Sequence, residues 1–398
     1  MFSPKRHPPA VASRVDLAKA DNDPRLRGLV SLQTADAVPF DRLLWSNEQA
    51  PGFRFFPASF QLSVNVALWR NQLLSLDAVE LDLPASWVTD RPRWRSCPAG
   101  VDRLVWTVSP REAPESLTPR IALTALFGGQ ALQTINGTLA VEIHGTSQFD
   151  PTEDAFQEVN SVAGWGVVTA RADLFQRTYQ STLFPTALFE GLYRSIVFIG
   201  GNVRGYGGGL CTGMARAALE RSFGDTSEAS DLDQVLLWHG RQLTDRALLA
   251  SAIWLLRPSP KRAFEAFKRD LLRSGETRRC FDIDVPKPWR RDIVDALQRE
   301  GHTVVPYAFR QTDPGLAEVS VYDPNDPRGS IAGRAVMTFD LSRDTYAYRD
   351  LVSLDDHRST VIAVDQAAYR RGRTAILAGL ASAILRIGRS ARPERAPA

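Results

Sequence analysis

The chain has 398 residues, 44% of them hydrophobic, and a formal net charge of +3. That length leaves room for two or three domains with sizeable cores, and the charge, with no basic run interleaved with aromatics, argues against nucleic acid as a partner. Three cysteines without a CxxC pair, and five scattered histidines, argue against a disulfide framework and against a zinc site.

Residues 1–28 are rich in Pro, Arg, Asp and Ala without apolar period and read as a flexible tail. Their first residues lack the apolar core of a signal peptide, and no apolar run reaches the length of a membrane span. The expectation is a cytoplasmic protein that works without metal or cofactor.

Residues 29–146 look β-rich. Phe60–Val66 and Val79–Leu83 alternate apolar with polar residues, as half-buried strands do. Arg103–Val108, Arg120–Leu126 and Thr138–Ile143 follow, with Gly128-Gly129 as a turn. Short strands with regular turn signals predict a small antiparallel sandwich. Its segment from Arg120 to Glu142 resembles β-sandwich modules that accompany effector domains in bacterial regulatory proteins. The resemblance implies a binding or docking role, with a regulatory protein as the partner. His144 ends the last of these strands and reads as a surface or core histidine.

Residues 147–165 read as a boundary, and Asp173–Leu192 as mostly helical with Pro185 interrupting it. Ser195–Ile199 reads as a short strand or buried turn. The run Gly205-Tyr-Gly-Gly-Gly-Leu-Cys-Thr-Gly-Met-Ala215 then sets Cys211 behind glycines and before the helix formers Ala-Arg-Ala-Ala-Leu. A thiol at a helix N-terminus faces the positive end of the helix dipole, which favours the thiolate. Leu232–Leu256 carries apolar residues at helical spacing, Lys261–Arg273 reads as another helix, and Pro288–Glu300 as one more, stopped by Gly301. Strands follow at His302–Phe309, Ala317–Tyr322, Ala335–Asp340, Thr345–Tyr348 and Val361–Val364. Helices carrying the cysteine, followed by an antiparallel sheet carrying histidine and acid, predict an α+β domain over 147–367. In the tail, 368–398, the apolar stretch Thr374–Ile387 is flanked by arginines. It suits weak contact with an anionic membrane surface, or packing on the protein.

A cysteine nucleophile needs a histidine, a group that orients that histidine, and donors for the developing oxyanion. Cys211 is the nucleophile candidate, and its own N–H at a helix start is an oxyanion donor. His302 opens a strand and is the base candidate. Asp323, at the end of the next strand, is the orienting carboxylate, with Asn325 as its competitor. Asn202 is the second oxyanion candidate. Taken singly, each motif has an ordinary structural explanation: a buried small thiol, a helix stop, a turn.

In conjunction, Gly-Gly-Leu-Cys211-Thr-Gly-Met-Ala, Gly-His302-Thr-Val-Val-Pro-Tyr and Val-Tyr-Asp323-Pro-Asn325-Asp-Pro resemble the papain-like cysteine peptidase superfamily. The branch they look closest to contains bacteriocin-processing, double-glycine-type peptidases. The resemblance spans about 147–370. It implies a papain-like catalytic domain with Cys211 as nucleophile, His302 as base and Asp323 as orienter, acting on a peptide or protein. The upstream glutamine of such sites is missing just before Cys211, so Asn202 would have to replace it. Two rivals are an acyltransferase on the same scaffold and a silent peptidase-like interaction module.

Overall fold

The computed structural model describes residues 13–16, 30–34, 42–67 except 50 and 51, 77–90, 94–96, 101–161 except 115, 165, 174, 177–179, 210–224, 230–286 except 243, 302–349 and 359–371. The described residues are mixed α and β, with several antiparallel sheets, an α+β composition. The chain divides into two compact units. The first is 1–145 with 310–314, and the second is 146–309 with 315–398. The sequence boundary near 146 takes no account of the return of 310–314 to the first unit.

The first unit contains a five-stranded sheet in the order Ser13–Asp16, Gln130–Thr138, Arg120–Phe127, Ala78–Asp82, Trp94–Ser96. A four-stranded sheet runs Val30–Thr34, Phe60–Asn65, Arg103–Pro110, Trp87–Thr89. The alternation seen in sequence places Leu62, Val64, Leu104, Trp106 and Val108 in the core. Gly128 and Gly129 both take positive φ in the turn between Arg120–Phe127 and Gln130–Thr138, which a two-residue hairpin of this type demands. Trp45, Phe55, Trp87 and Phe60 form a chain of ring contacts with centroids 4.6–6.4 Å apart.

Two features depart from the expected antiparallel sandwich behind a flexible tail. Ser13–Asp16 is a strand, not tail, and pairs in parallel with Gln130–Thr138. Arg42–Ser46 pairs in parallel with Ala140–Thr146. Neither segment carries a hairpin turn linking it to its partner, so local sequence offers no sign of the pairing. His144 lies 3.1 Å from Glu142, which also holds Arg42 and Arg310 in an ion-pair cluster.

In the second unit the strands lie in the order Thr345–Ala347, Val336–Asp340, Leu316–Tyr322, His302–Asp313, Arg279–Pro286, Ser359–Asp365. Phe264 and Phe267 of the helix Pro260–Ser274 meet Phe281, Phe309 and Phe339 of the strands edge-on or tilted, with centroids 5.7–6.1 Å apart. This helix starts at Pro260 behind the Ser259 cap, whose hydroxyl accepts from the Arg262 N–H, and stops at Gly275 in the left-handed region. Leu232–Leu256, read as one helical stretch, is two helices, Asp231–Arg241 and Asp245–Leu256. The Thr244 hydroxyl donates to the Arg241 carbonyl and ends the first helix there. The expected helices Asp173–Leu192 and Pro288–Glu300, the turn Ser195–Ile199 and the stretch Thr374–Ile387 lie wholly or mostly outside the described residues. Among the described residues no helix is long and apolar enough to cross a membrane.

Candidate active site

The helix Cys211–Arg221 is buried almost throughout, from Cys211 to Glu220. Its arginine and glutamate explain how a polar sequence stays inside. Arg216 is fully buried, stacked 3.3 Å above the Tyr369 ring centroid, bonded to Gln366 and 3.5 Å from Asp282. Glu220 binds Arg370 at 2.6 Å. Gly213 permits a close crossing with the helix Asp231–Arg241. A Cβ there would lie 2.3 Å from the Val235 carbonyl oxygen and 2.8 Å from the His239 Cβ. The glycine after the cysteine is therefore a packing requirement of the helix that carries the thiol.

His302 is the first residue of its strand and is 7% exposed. Its Nε2 lies 2.7 Å from Asp323 Oδ1. Its ring also hydrogen-bonds the Cys211 thiol. With Nε2 engaged by the carboxylate, Nδ1 is the nitrogen left for the sulfur. One residue further along each element, the Thr212 and Thr303 hydroxyls meet at 2.8 Å. Thr303 spends its single proton on Asp282 Oδ1, 2.8 Å away, so Thr212 must donate to Thr303. This pair registers the start of the helix on the start of the strand.

Asp323 is held on every side. Its N–H donates to Ser330 Oγ, and its carboxylate accepts from the Asn325 N–H and the Tyr348 hydroxyl as well as from His302. Arg349 lies 3.4 Å from its second oxygen and also binds Asp326. Asn325 is placed differently from Asp323: its Nδ2 is 3.5 Å from His302 Nδ1. The carboxylate and the amide thus face opposite ring nitrogens. Asn202 lies outside the described residues.

Charge in the site is mutually dependent. Burial raises the Cys211 thiol, but the hydrogen bond and charge of His302, with the N–H groups of Thr303 and Thr212, outweigh it and hold the thiol below its usual range. Burial lowers His302, yet Asp323 and the thiolate overcome this and hold the imidazole well above its usual range. Burial also raises Asp323, and its donors reverse that, bringing it to about 2. At Cys280, which is fully buried, burial outweighs the lowering charge of Arg216 and pushes the thiol up to about 12. Among the described residues no group of three or more His, Cys, Asp or Glu side chains is arranged to hold a metal ion.

Several site residues were not singled out from sequence. Thr212 and Thr303 directly follow Cys211 and His302, so adjacency to the candidate residues was their signal. Tyr348 and Arg349 stand at the end of the last hairpin, where Arg349 takes a left-handed φ of 49°. Asn160 lies in the segment read as a boundary. Its side chain joins Asn325 to the Leu210 N–H, and its own N–H donates to the Pro324 carbonyl. No local signal marks it.

No protein-family model matches the chain, and no curated protein sequence matches it.

Proposed function

We propose that the second unit is a papain-like thiol hydrolase that cleaves a peptide or protein amide. The observation that supports this most directly is the continuous contact from Cys211 thiol to His302 imidazole to Asp323 carboxylate, with the carboxylate 2.7 Å from the ring. A thiolate beside an imidazolium is a nucleophile already paired with its acid.

In the first half-reaction the Cys211 sulfur attacks the amide carbon and the carbonyl becomes an oxyanion. The Cys211 N–H and the Asn202 amide are the donors assigned to it. His302 gives its Nδ1 proton to the leaving amine as the C–N bond breaks, leaving a thioester. In the second half-reaction neutral His302 takes a proton from water, whose oxygen attacks the thioester. The carboxylic acid departs and the thiolate is restored beside the imidazolium. Asp323 keeps its charge throughout and stabilises the imidazolium form.

The test is incubation with a mixed fluorogenic peptide library and with peptidyl vinyl sulfones, read by peptide mass. The expected result is peptide turnover and covalent labelling at Cys211, both lost in Cys211→Ala and His302→Ala. Absence of turnover with a vinyl sulfone adduct no faster than on free cysteine overturns the reading. Thioester turnover only in the presence of an added amine would replace hydrolysis by acyl transfer.

A further inference from the structure

Asn160 is 7% exposed and reaches two parts of the site at once. Its Oδ1 accepts from the Leu210 N–H at 3.1 Å, directly before the nucleophile. Its Nδ2 donates to Asn325 Oδ1 at 2.9 Å, and Asn325 Nδ2 stands 3.5 Å from His302 Nδ1. An amide side chain has one accepting and one donating end. A backbone N–H can only donate, so the Leu210 N–H dictates that Asn160 offers it oxygen. Asn160 then has only N–H to offer Asn325, which must turn its oxygen inward and its own N–H toward the histidine. The orientation of two side-chain amides follows from one backbone amide.

We propose that Asn160 and Asn325 form an amide relay, anchored at the Leu210 N–H, that presents a donor to His302 Nδ1 and so favours the neutral, proton-accepting form of the base. This rests on the Cys211–His302 pairing proposed above and adds two positioning residues to it. The relay opposes the other groups around the imidazole. The Cys211 thiolate on the helix, Asp323 after the neighbouring strand and Asp282 on the strand beside it all favour the imidazolium. Arg349 and the Tyr348 hydroxyl act on it through Asp323. A base that must both give and take a proton in one turnover needs a counterweight to three acidic neighbours. An N–H aimed at Nδ1 is disfavoured only while Nδ1 carries its own proton, so it acts on the protonation equilibrium.

The experiment is the pH profile of Cys211 alkylation by iodoacetate in the full chain, read by peptide mass. The reagent is an anion, so its rate falls when the imidazolium loses its proton, and this high-pH limb reports His302. Asn160→Asp offers oxygen at both ends. Asn325 then rotates, presents Oδ1 to Nδ1–H, and the limb moves up by about one pH unit. Asn325→Ala removes the donor and also moves the limb up, while leaving the Asn160–Leu210 bond in place. In the double variant Asn160→Asp, Asn325→Ala the limb matches Asn325→Ala alone. An unmoved limb in Asn325→Ala overturns the relay. So does a further upward shift in the double variant, which would mean that the introduced carboxylate acts through space by its charge. A wild-type thiol that titrates as an ordinary cysteine would instead remove the Cys211–His302 pairing itself.

Discussion

Thr212 and Thr303 share a 2.8 Å contact between hydroxyls, each one residue past a candidate site group: the sulfur of Cys211 and the imidazole of His302. Helix and strand are thereby fixed in register by polar atoms rather than by apolar packing alone. Asp282 takes the one remaining proton of the pair, and burial raises this carboxyl against the lowering effect of Arg216 and Thr303.

Thr303→Val removes a donor to a buried carboxylate and an acceptor for a buried hydroxyl while keeping the side-chain shape. The expected loss of stability is about 2–4 kcal/mol, and Thr303→Ser recovers most of it. Urea unfolding of the two variants checks this. Equal stabilities for Ser and Val would show that the hydroxyl chain contributes nothing.

Cys211 and Cys280 are both buried but differ in their partners. The Cys211 thiol is lowered and the His302 imidazole raised, so the ion pair persists from the first pKa up to the second. Iodoacetamide is expected to modify Cys211 well below pH ~8.5, the ordinary thiol value, and to leave Cys280 untouched until the protein unfolds. His302→Ala returns Cys211 to slow, ordinary titration. The check is site-resolved peptide mass across pH 5–10 in steps of about one unit. Parallel labelling of both cysteines would remove the distinction.

Asp323→Asn keeps an oxygen for the His302 Nε2–H and removes the charge. The imidazolium loses its main partner, so the His302 pKa falls and the Cys211 pKa rises. Alkylation at pH 6 is expected to drop at least ~10-fold, since one pKa unit is a factor of ten, while the rate at high pH approaches wild type. An unaltered profile would mean that Asp323 supports the loop and not the His302 imidazolium.

Gly213→Ala sets a methyl against a backbone carbonyl that cannot rotate away. Helix propensity favours alanine by about 1 kcal/mol, and overpacking opposes it by about 1–3 kcal/mol. A 2.3 Å approach puts the clash at the upper end of that range, so net destabilisation is expected. A chemical denaturation curve at or above wild-type stability would show that the helix pair relaxes freely.

The three candidate residues are legible because each sits at the end of an element whose pattern is local. Glycines precede the cysteine helix, His302 opens a strand, and Asp-Pro-Asn closes the next. What stayed hidden depends on distant pairing. Arg279–Pro286 is not among the strands read from local pattern, although it lies between the histidine strand and Ser359–Asp365. Cys280 and Phe281 are buried side by side in it, so no simple alternation of inside and outside appears. Asp282 reads as surface charge until Arg216 and Thr303 are beside it. Asn160 reads as linker until its partners arrive from distant parts of the chain. The expected papain-like motifs said nothing of the parallel pairing in the first unit, which joins segments far apart in sequence.

The strand His302–Asp313 opens with the candidate base and finishes, at Arg310–Asp313, among residues of the first unit. Residues 146–309 are therefore an insertion within the first unit's own sequence, not a module appended to it. A chain cut after Gly145 would lose Arg310, which lies 3.4 Å from the buried Glu142. Excising residues 146–309 would leave both parts of the first unit in the chain and separate residues 315–398 from the rest of the second unit. The two units alternate along the chain, so neither is one uninterrupted segment that could be lifted out whole.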